Sequence, residues 1–262
     1  MNEPGAENAE EEVLEEASLV SHLVELRSRL IKACVAIMIC FACLFPFSEQ
    51  IFTLVAQPLI DQLPEGSTMI ATQVASPFLT PFKTTLWVAV FAAMPVVIYQ
   101  VWAFVAPGLY RKEKRFAIPL VISSIFLFYA GVAFAYGVVF PLMFAFFNAV
   151  APEGVTVMTD INNYLDFVLV IFFAFGLAFE VPIATVMLCW SGLTTPDQLG
   201  SSRAYVLLGA FVAGMLLTPP DIISQTLLAV PIYLLYEAGI IMSRVMLPPR
   251  ETNESATAST DS

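Results

Sequence analysis

Charged side chains are scarce in the apolar stretches of this chain, so each one found there is a candidate for chemistry. Glu180 stands inside the long apolar run 164–190. A charge at the bilayer centre costs at least about 2.5–3.5 kcal/mol on insertion scales, so such a residue pairs, faces a cavity or takes up a proton. A structural hydrogen bond to a neighbouring helix is the plainer alternative. Gln225 and Glu237, in the last apolar run, carry weaker forms of the signal, and Glu237 lies close enough to the run's end to snorkel or to pair with Arg244. Two further carboxylates stand among cations. Glu25 belongs to the stretch Ser21–Leu30, in which Leu19, Leu23, Leu26 and Leu30 share a helical stripe and Glu25 and Arg29 are i,i+4 partners. Either this is an interfacial helix with a surface pair worth about 0.3–0.5 kcal/mol, or it displays a carboxylate at the membrane surface. Glu113 is the one acid among Arg111, Lys112, Lys114 and Arg115. It either neutralises its neighbours or accepts a ligand's guanidinium, whose planar fork a carboxylate binds bidentately.

Other chemistry is closed off by residue type. The one histidine, His22, lies outside every apolar run, so no intramembrane Ser–His or metal–His site is available. Cys40 and Cys43 have redox or zinc spacing, but they sit in a long apolar helix without a nearby histidine. With Cys34 and Cys189 they are expected to be buried small hydrophobes. Asp166 and Asp221 sit at the ends of apolar runs, which disfavours an intramembrane aspartyl protease. No glycine-rich phosphate loop is present. No catalytic residue, metal or cofactor is expected.

The elements that must position these residues are membrane spans. Of 262 residues, 58% are hydrophobic and 13% charged, with mean hydropathy +0.81. A soluble domain carries about 45–50% apolar and about 25% charged residues, so solubility and a nucleic-acid role are both disfavoured. The net charge of −11 sits in the tails. Residues 1–26 hold eight acids and no Lys or Arg, and residues 248–262 hold three acids against Arg250. Residues 27–247 have ten cations and eleven acids. A span needs roughly 20 apolar residues. Such runs place spans at about 31–47, 84–106, 116–142, 164–190, 204–217 and 222–242. The third run continues uncharged to residue 147, so its helix should tilt, protrude or kink at Pro141. The fifth has only 14 residues, and with the sixth it forms either a short hairpin or a re-entrant pair. Thr218–Asp221 make the turn between them, with Asp221 as its cap. Residues 49–82 form the longest loop, broken by Pro58, Pro64 and Gly66, and Thr68–Phe82 could lie at the interface as a short amphipathic helix. Residues 1–18 and 248–262 read as disordered tails around a 19–247 membrane domain.

Charge sorts by side. Alternating the loops places Arg27, Arg29, Lys32, Arg111, Lys112, Lys114, Arg115, Arg203, Arg244 and Arg250 on one face and Lys83 alone on the other. The positive-inside rule then puts both termini in the cytoplasm and requires an even number of spans, six. The acidic first 18 residues are no cleavable signal, so the first helix is its own insertion signal. No repeat or second domain is visible.

Several stretches together resemble the TatC family, the core subunit of the twin-arginine protein translocase. The first is His22, Leu23, Glu25, Leu26, Arg27, Arg29 and Leu30. The second is Pro95, Tyr99, Gln100, Trp102, Phe104, Pro107, Leu109, Tyr110 and Glu113. Phe175, Gly176, Phe179, Glu180 and Pro182 follow, then Leu217–Asp221 with Gln225. These motifs are in family order, and only the tails fall outside. Many relatives carry a glutamate where this chain has Leu79, so an outside carboxylate there is not assumed.

The resemblance implies an all-α integral membrane protein: six helices in a cup-shaped bundle, the last two short, both termini cytoplasmic, in the bacterial inner membrane. It implies that Glu25 and Glu113 bind the paired arginines of a signal peptide on folded cargo, with Arg27, Phe104 and Leu109 lining the site. It implies TatA and TatB as single-span partners beside the last two helices, further copies of the chain itself, and transport driven by the protonmotive force. The signal's apolar stretch would then enter toward Glu180, and short last helices would thin the bilayer. The competing reading is a proton-coupled small-solute transporter with a midplane site at Glu180 and Gln225, against which stands the absence of an inverted repeat.

Overall fold

The computed structural model describes residues 4–60, 70–109, 117–150, 160–217 and 221–246. Ten α-helices follow in order among them: α1 (Pro4–Leu44), α2 (Ser48–Ile60), α3 (Ser76–Leu109), α4 (Ala117–Phe134), α5 (Phe140–Val150), α6 (Ile161–Ala178), α7 (Val181–Trp190), α8 (Pro196–Ser201), α9 (Arg203–Leu217) and α10 (Ile222–Met246). The described residues contain no strand, only an isolated bridge between Ile70 and Asp160. Among the described residues, five segments are long and apolar enough to cross a bilayer: 20–57, 76–105, 118–147, 161–190 and 222–246. The 15-residue α9 is apolar but shorter. At about 1.5 Å per residue it reaches about 22 Å against a core of about 30 Å. Shortness is confined to α9, because α10 has 25 residues.

Where helices break, proline or glycine gives the reason. Pro46 lacks an N–H, and the chain passes through a 3₁₀ turn, Phe45–Phe47, from α1 into α2. The third span does not kink at Pro141 itself. Its ladder widens into a π-turn, Ala135–Val139, just before, the usual accommodation of a residue that cannot donate to the preceding turn. The fourth span divides at Phe179–Glu180, and Pro182 sits in the first turn of α7, where its missing N–H costs nothing.

The acidic N-terminal stretch is helical from Pro4 onward. Glu and Ala are strong helix formers, and acids near a helix N-terminus suit its dipole. Residues 49–82 are not one loop: α2 occupies 48–60, Pro58 lies within it, and α3 starts at Ser76, so 76–82 belong to the second span's helix. The cysteines are free, but Cys34 and Cys43 are exposed and Cys40 is half-buried, leaving only Cys189 buried. The reason is that the first span buries little of its surface within the protein. Residues 248–262 lie outside the described residues.

The chain divides into two units, residues 1–176 and 177–262. In the first, Phe128, Met143, Leu165, Leu169 and Phe175 are fully buried. Gly176 is required there, since a Cβ would fall 2.4 Å from Cε2 of Phe128. Buried threonines at the start of α3 return their hydroxyls to the preceding turn, Thr84 to the Thr80 carbonyl and Thr85 to that of Pro81, both at 2.8 Å. In the second unit, Cys189, Leu199, Tyr236 and Ile240 form the core. Gly239 of α10 crosses α7 so closely that a Cβ would lie 2.1 Å from Thr185 Oγ1 and 2.9 Å from Pro182 Cα.

Candidate functional site

Two ring contacts fix how α1 meets α3. The His22 imidazole stacks on Phe104 with centroids 4.2 Å apart and planes 25° from parallel. Phe41 packs edge-on against Phe82 at 5.2 Å. Going up α1 from His22 to Phe41 therefore means going back along α3 from Phe104 to Phe82: the helices are antiparallel. With equal rise per residue, this register puts Glu25 level with residues 100–101 of α3.

Glu25 and Arg29 form the expected i,i+4 pair. Arg29 donates Nε at 3.0 Å and Nη2 at 2.5 Å, both to Oε1 of Glu25. Both side chains are partly buried. Two N–H groups on a single oxygen fix the carboxylate's orientation while leaving Oε2 outside that clamp. Arg27 is exposed, and two residues from Glu25 it projects about 200° around the helix, on the opposite face. Gln100, on the register level of Glu25, has a buried Oε1 with no hydrogen-bond partner among the described residues. Trp102 Nε1 donates to Ser124 Oγ at 2.9 Å and Tyr129 donates to the Phe91 carbonyl at 2.8 Å, tying α4 to α3 below the stack. Leu109 is the last residue of α3, and Glu113 lies outside the described residues.

At the opposite end of the first unit, Lys83 and Asp166 join α3 to α6 at 2.5 Å. Asp160 is the anchor of that end. Its Oδ2 accepts the Thr72 hydroxyl at 2.6 Å and the Thr72 N–H at 3.0 Å. Its Oδ1 accepts the N–H groups of Asn162 and Asn163, both at 3.0 Å, which caps α6. The Thr72 hydroxyl, then the backbone donors, hold this carboxyl down at about 2. Sequence reasoning did not single out Asp160. The Asp-Ile-Asn-Asn run ahead of an apolar segment was the capping signal available.

In the second unit, Glu180 occupies the turn between α6 and α7. Its carbonyl accepts Ala184 N–H at 2.9 Å, and its Oε1 is removed from the surface. Asp221 caps α10, taking Ser224 N–H on Oδ1 at 2.7 Å. Gln225 presents its backbone to Gly214 of α9, where a Cβ would sit 3.4 Å from the Gln225 Cα and carbonyl oxygen. Glu237 does not pair with Arg244. Arg203 takes it with a two-pronged grip, Nε to Oε1 at 2.5 Å and Nη2 to Oε2 at 2.9 Å, and Tyr233 adds its hydroxyl at 2.9 Å. Arg244 reaches Asp197 of α8 at 3.2 Å instead. The α8 turn, closed by a Thr195/Gln198 capping box, was not anticipated, although Thr-Pro-Asp-Gln carries that signature.

Comparison with known proteins agrees with this arrangement of helices and motifs. The family described as Sec-independent protein translocase protein (TatC) matches residues 21–231. A TatC protein of Azotobacter chroococcum is 62% identical over 222 residues, covering 85% of this chain and 87% of the relative. One of Escherichia coli K12 is 58% identical over 226 residues, covering 86% and 88%. The crystal structure described as twin arginine translocase receptor TatC superposes with a TM-score of 0.77 at 38% identity, covering 86% of this chain and 98% of that one. A match over most of the length, at these identities and with the same fold, makes this chain a member of the TatC family of Sec-independent protein translocases.

Proposed function

We propose that this translocase subunit is the receptor for twin-arginine signal peptides. Glu25 and Glu113 accept the two guanidinium groups, Phe104 and Leu109 line the site, and Arg27, on the face of α1 opposite Glu25, adds charge near it rather than a contact. The observation that carries the reading is the His22–Phe104 stack. It draws the α1 signature onto the end of α3, from which Glu113 follows four residues beyond the helix. The Arg29 clamp supports it by holding the Glu25 carboxylate in one orientation. The related crystal structure is that of a twin arginine translocase receptor, which points the same way.

In this reading the site faces the cytoplasm with both termini, because the cations cluster there, and the membrane is the bacterial inner membrane. TatA and TatB dock beside α9 and α10, several copies assemble, and the protonmotive force drives passage of folded cargo. The bilayer thins around α9, the one apolar helix too short to cross among the described residues. Glu180 serves the transport step and not the recognition step. Site-specific crosslinking of a signal peptide in Glu25→Ala and Glu113→Ala tests the assignment. Loss in both is expected, and undiminished crosslinking in both would sink it.

A further inference from the structure

We infer that His22 is a positioning residue of the recognition site. Its ring stack on Phe104 sets where the Glu25 carboxylate stands relative to the end of α3. This rests on the proposed reading of Glu25 as a guanidinium acceptor.

The argument starts from exposure. His22 and its neighbours Val20, Leu23 and Val24 are exposed on α1, so little packing from elsewhere fixes this turn. The stack is the ring contact that joins it to α3. The next ring contact from α1 to α3, by Phe41 on Phe82, lies nineteen residues further along α1. That is about 28 Å at the helical rise. Between the two, α1 stays packed on α3, with Ala33 buried, so losing the stack frees the outermost turns of α1, and Glu25 sits in those turns. Glu25 is one turn from His22, so holding the ring holds the carboxylate. Chemistry gives a second reason for this residue type. An imidazole is a flat aromatic that stacks on phenylalanine, and it stays water-compatible where α1 leaves its apolar run. A leucine or alanine offers no face to stack, whereas phenylalanine offers the same face.

Near-parallel aromatic pairs contribute about 0.5–1.5 kcal/mol beyond area burial. Removing the stack should therefore weaken capture of a two-arginine peptide about two- to tenfold. The experiment uses the purified full chain in lipid nanodiscs and a fluorescent signal peptide bearing paired arginines. Binding is titrated for wild type, His22→Ala, His22→Phe and Glu25→Ala. Spin labels at positions 28 and 105 report the spread of the α1–α3 distance in each. His22→Ala should bind more weakly and broaden that distribution, and His22→Phe should restore both. If His22→Ala binds as wild type while Glu25→Ala does not, the positioning role is wrong and the receptor reading stands. If Glu25→Ala binds as wild type, the receptor reading itself fails. Should His22→Ala not fold, His22→Phe decides: a weakened peptide affinity with an unbroadened distance would overturn the stacking account, and wild-type affinity would sustain it.

Discussion

Replacing Gly239 by alanine should loosen the second unit, and the packing around it sets by how much. The added Cβ would lie 2.1 Å from Thr185 Oγ1 and 2.9 Å from Pro182 Cα. Ordinary carbon contacts lie at about 3.5–4.0 Å, so α10 must back away from α7 by about 1 Å. Overpacking a filled interior costs about 1–3 kcal/mol. The upper end applies because one obstacle is backbone, which no rotamer change relieves. Alanine regains at most about 1 kcal/mol as a better helix former. The net loss is about 2 kcal/mol, roughly a 30-fold shift in the folding equilibrium. Gly209 of α9 is the internal control, because a Cβ there meets nothing within 4 Å, and Gly209→Ala should be neutral or slightly stabilising. Adding Thr185→Ala removes Oγ1 but not the Pro182 backbone, so it should relieve part of the cost of Gly239→Ala and not all of it. Reversible unfolding in mixed micelles, followed by tryptophan fluorescence, reads all three variants against wild type. Equal stability of Gly239→Ala and Gly209→Ala would refute the close-packing argument.

Three further outcomes are expected. Asp160 ionises at about 2 when folded against an ordinary 3.8, so its contribution is fully present above about pH 4 and lost as pH falls through 2. Asp160→Asn should therefore lower the thermal midpoint at pH 7, with the gap to wild type closing between about pH 4 and 2. Gln100→Leu should be neutral or stabilising by about 1 kcal/mol, because it replaces a buried acceptor that has no partner among the described residues; a clear loss of stability in the same unfolding assay would count against it. Arg203→Lys cannot reproduce the two-pronged grip on Glu237, and it should lower the chemical-denaturation midpoint only slightly, because the pair is exposed; an unchanged midpoint would show that the grip contributes nothing to stability.

The apolar helices were legible because most rest on a long apolar run, a signal that survives without tertiary context. Helix lengths were less so. α3 begins eight residues before its apolar run, since Ser76, Thr80 and Thr84 are polar by type yet buried. Thr84 fits by returning its hydroxyl to the Thr80 carbonyl and Thr80 by reaching Asn162 of α6, neither of which composition records. The break at Glu180 was visible in Pro182, but the π-turn before Pro141 was not, because sequence marks the missing donor and not how the ladder yields. At the site, the Glu25–Arg29 pair followed from i,i+4 spacing alone. The stack of His22 on Phe104 did not, because residues 82 positions apart meet only through the antiparallel register of two long helices. Cys34 and Cys43 misled for the opposite reason: an apolar neighbourhood in sequence does not distinguish a face turned to the protein from one turned outward.

Charge sorting shows the same division between what a count contains and what geometry adds. Counting assigns Arg203, Arg244 and Arg29 to one side as equivalent topological cations. In the folded chain each is held by an acid: Arg203 by Glu237, Arg244 by Asp197, Arg29 by Glu25. Lys83, the lone cation of the other side, is held by Asp166. Near a membrane this pairing matters, since a charge left alone at the apolar boundary pays desolvation that a partner offsets. Arg27 and Lys32 have no ion pair among the described residues and are exposed. The paired cations therefore fasten helix to helix or orient a carboxylate, which a count of charges does not show. Glu25 sits between these roles: Arg29 grips one of its oxygens with two donors, which leaves the second oxygen outside that pair and, on the proposed receptor reading, open to a signal peptide's guanidinium.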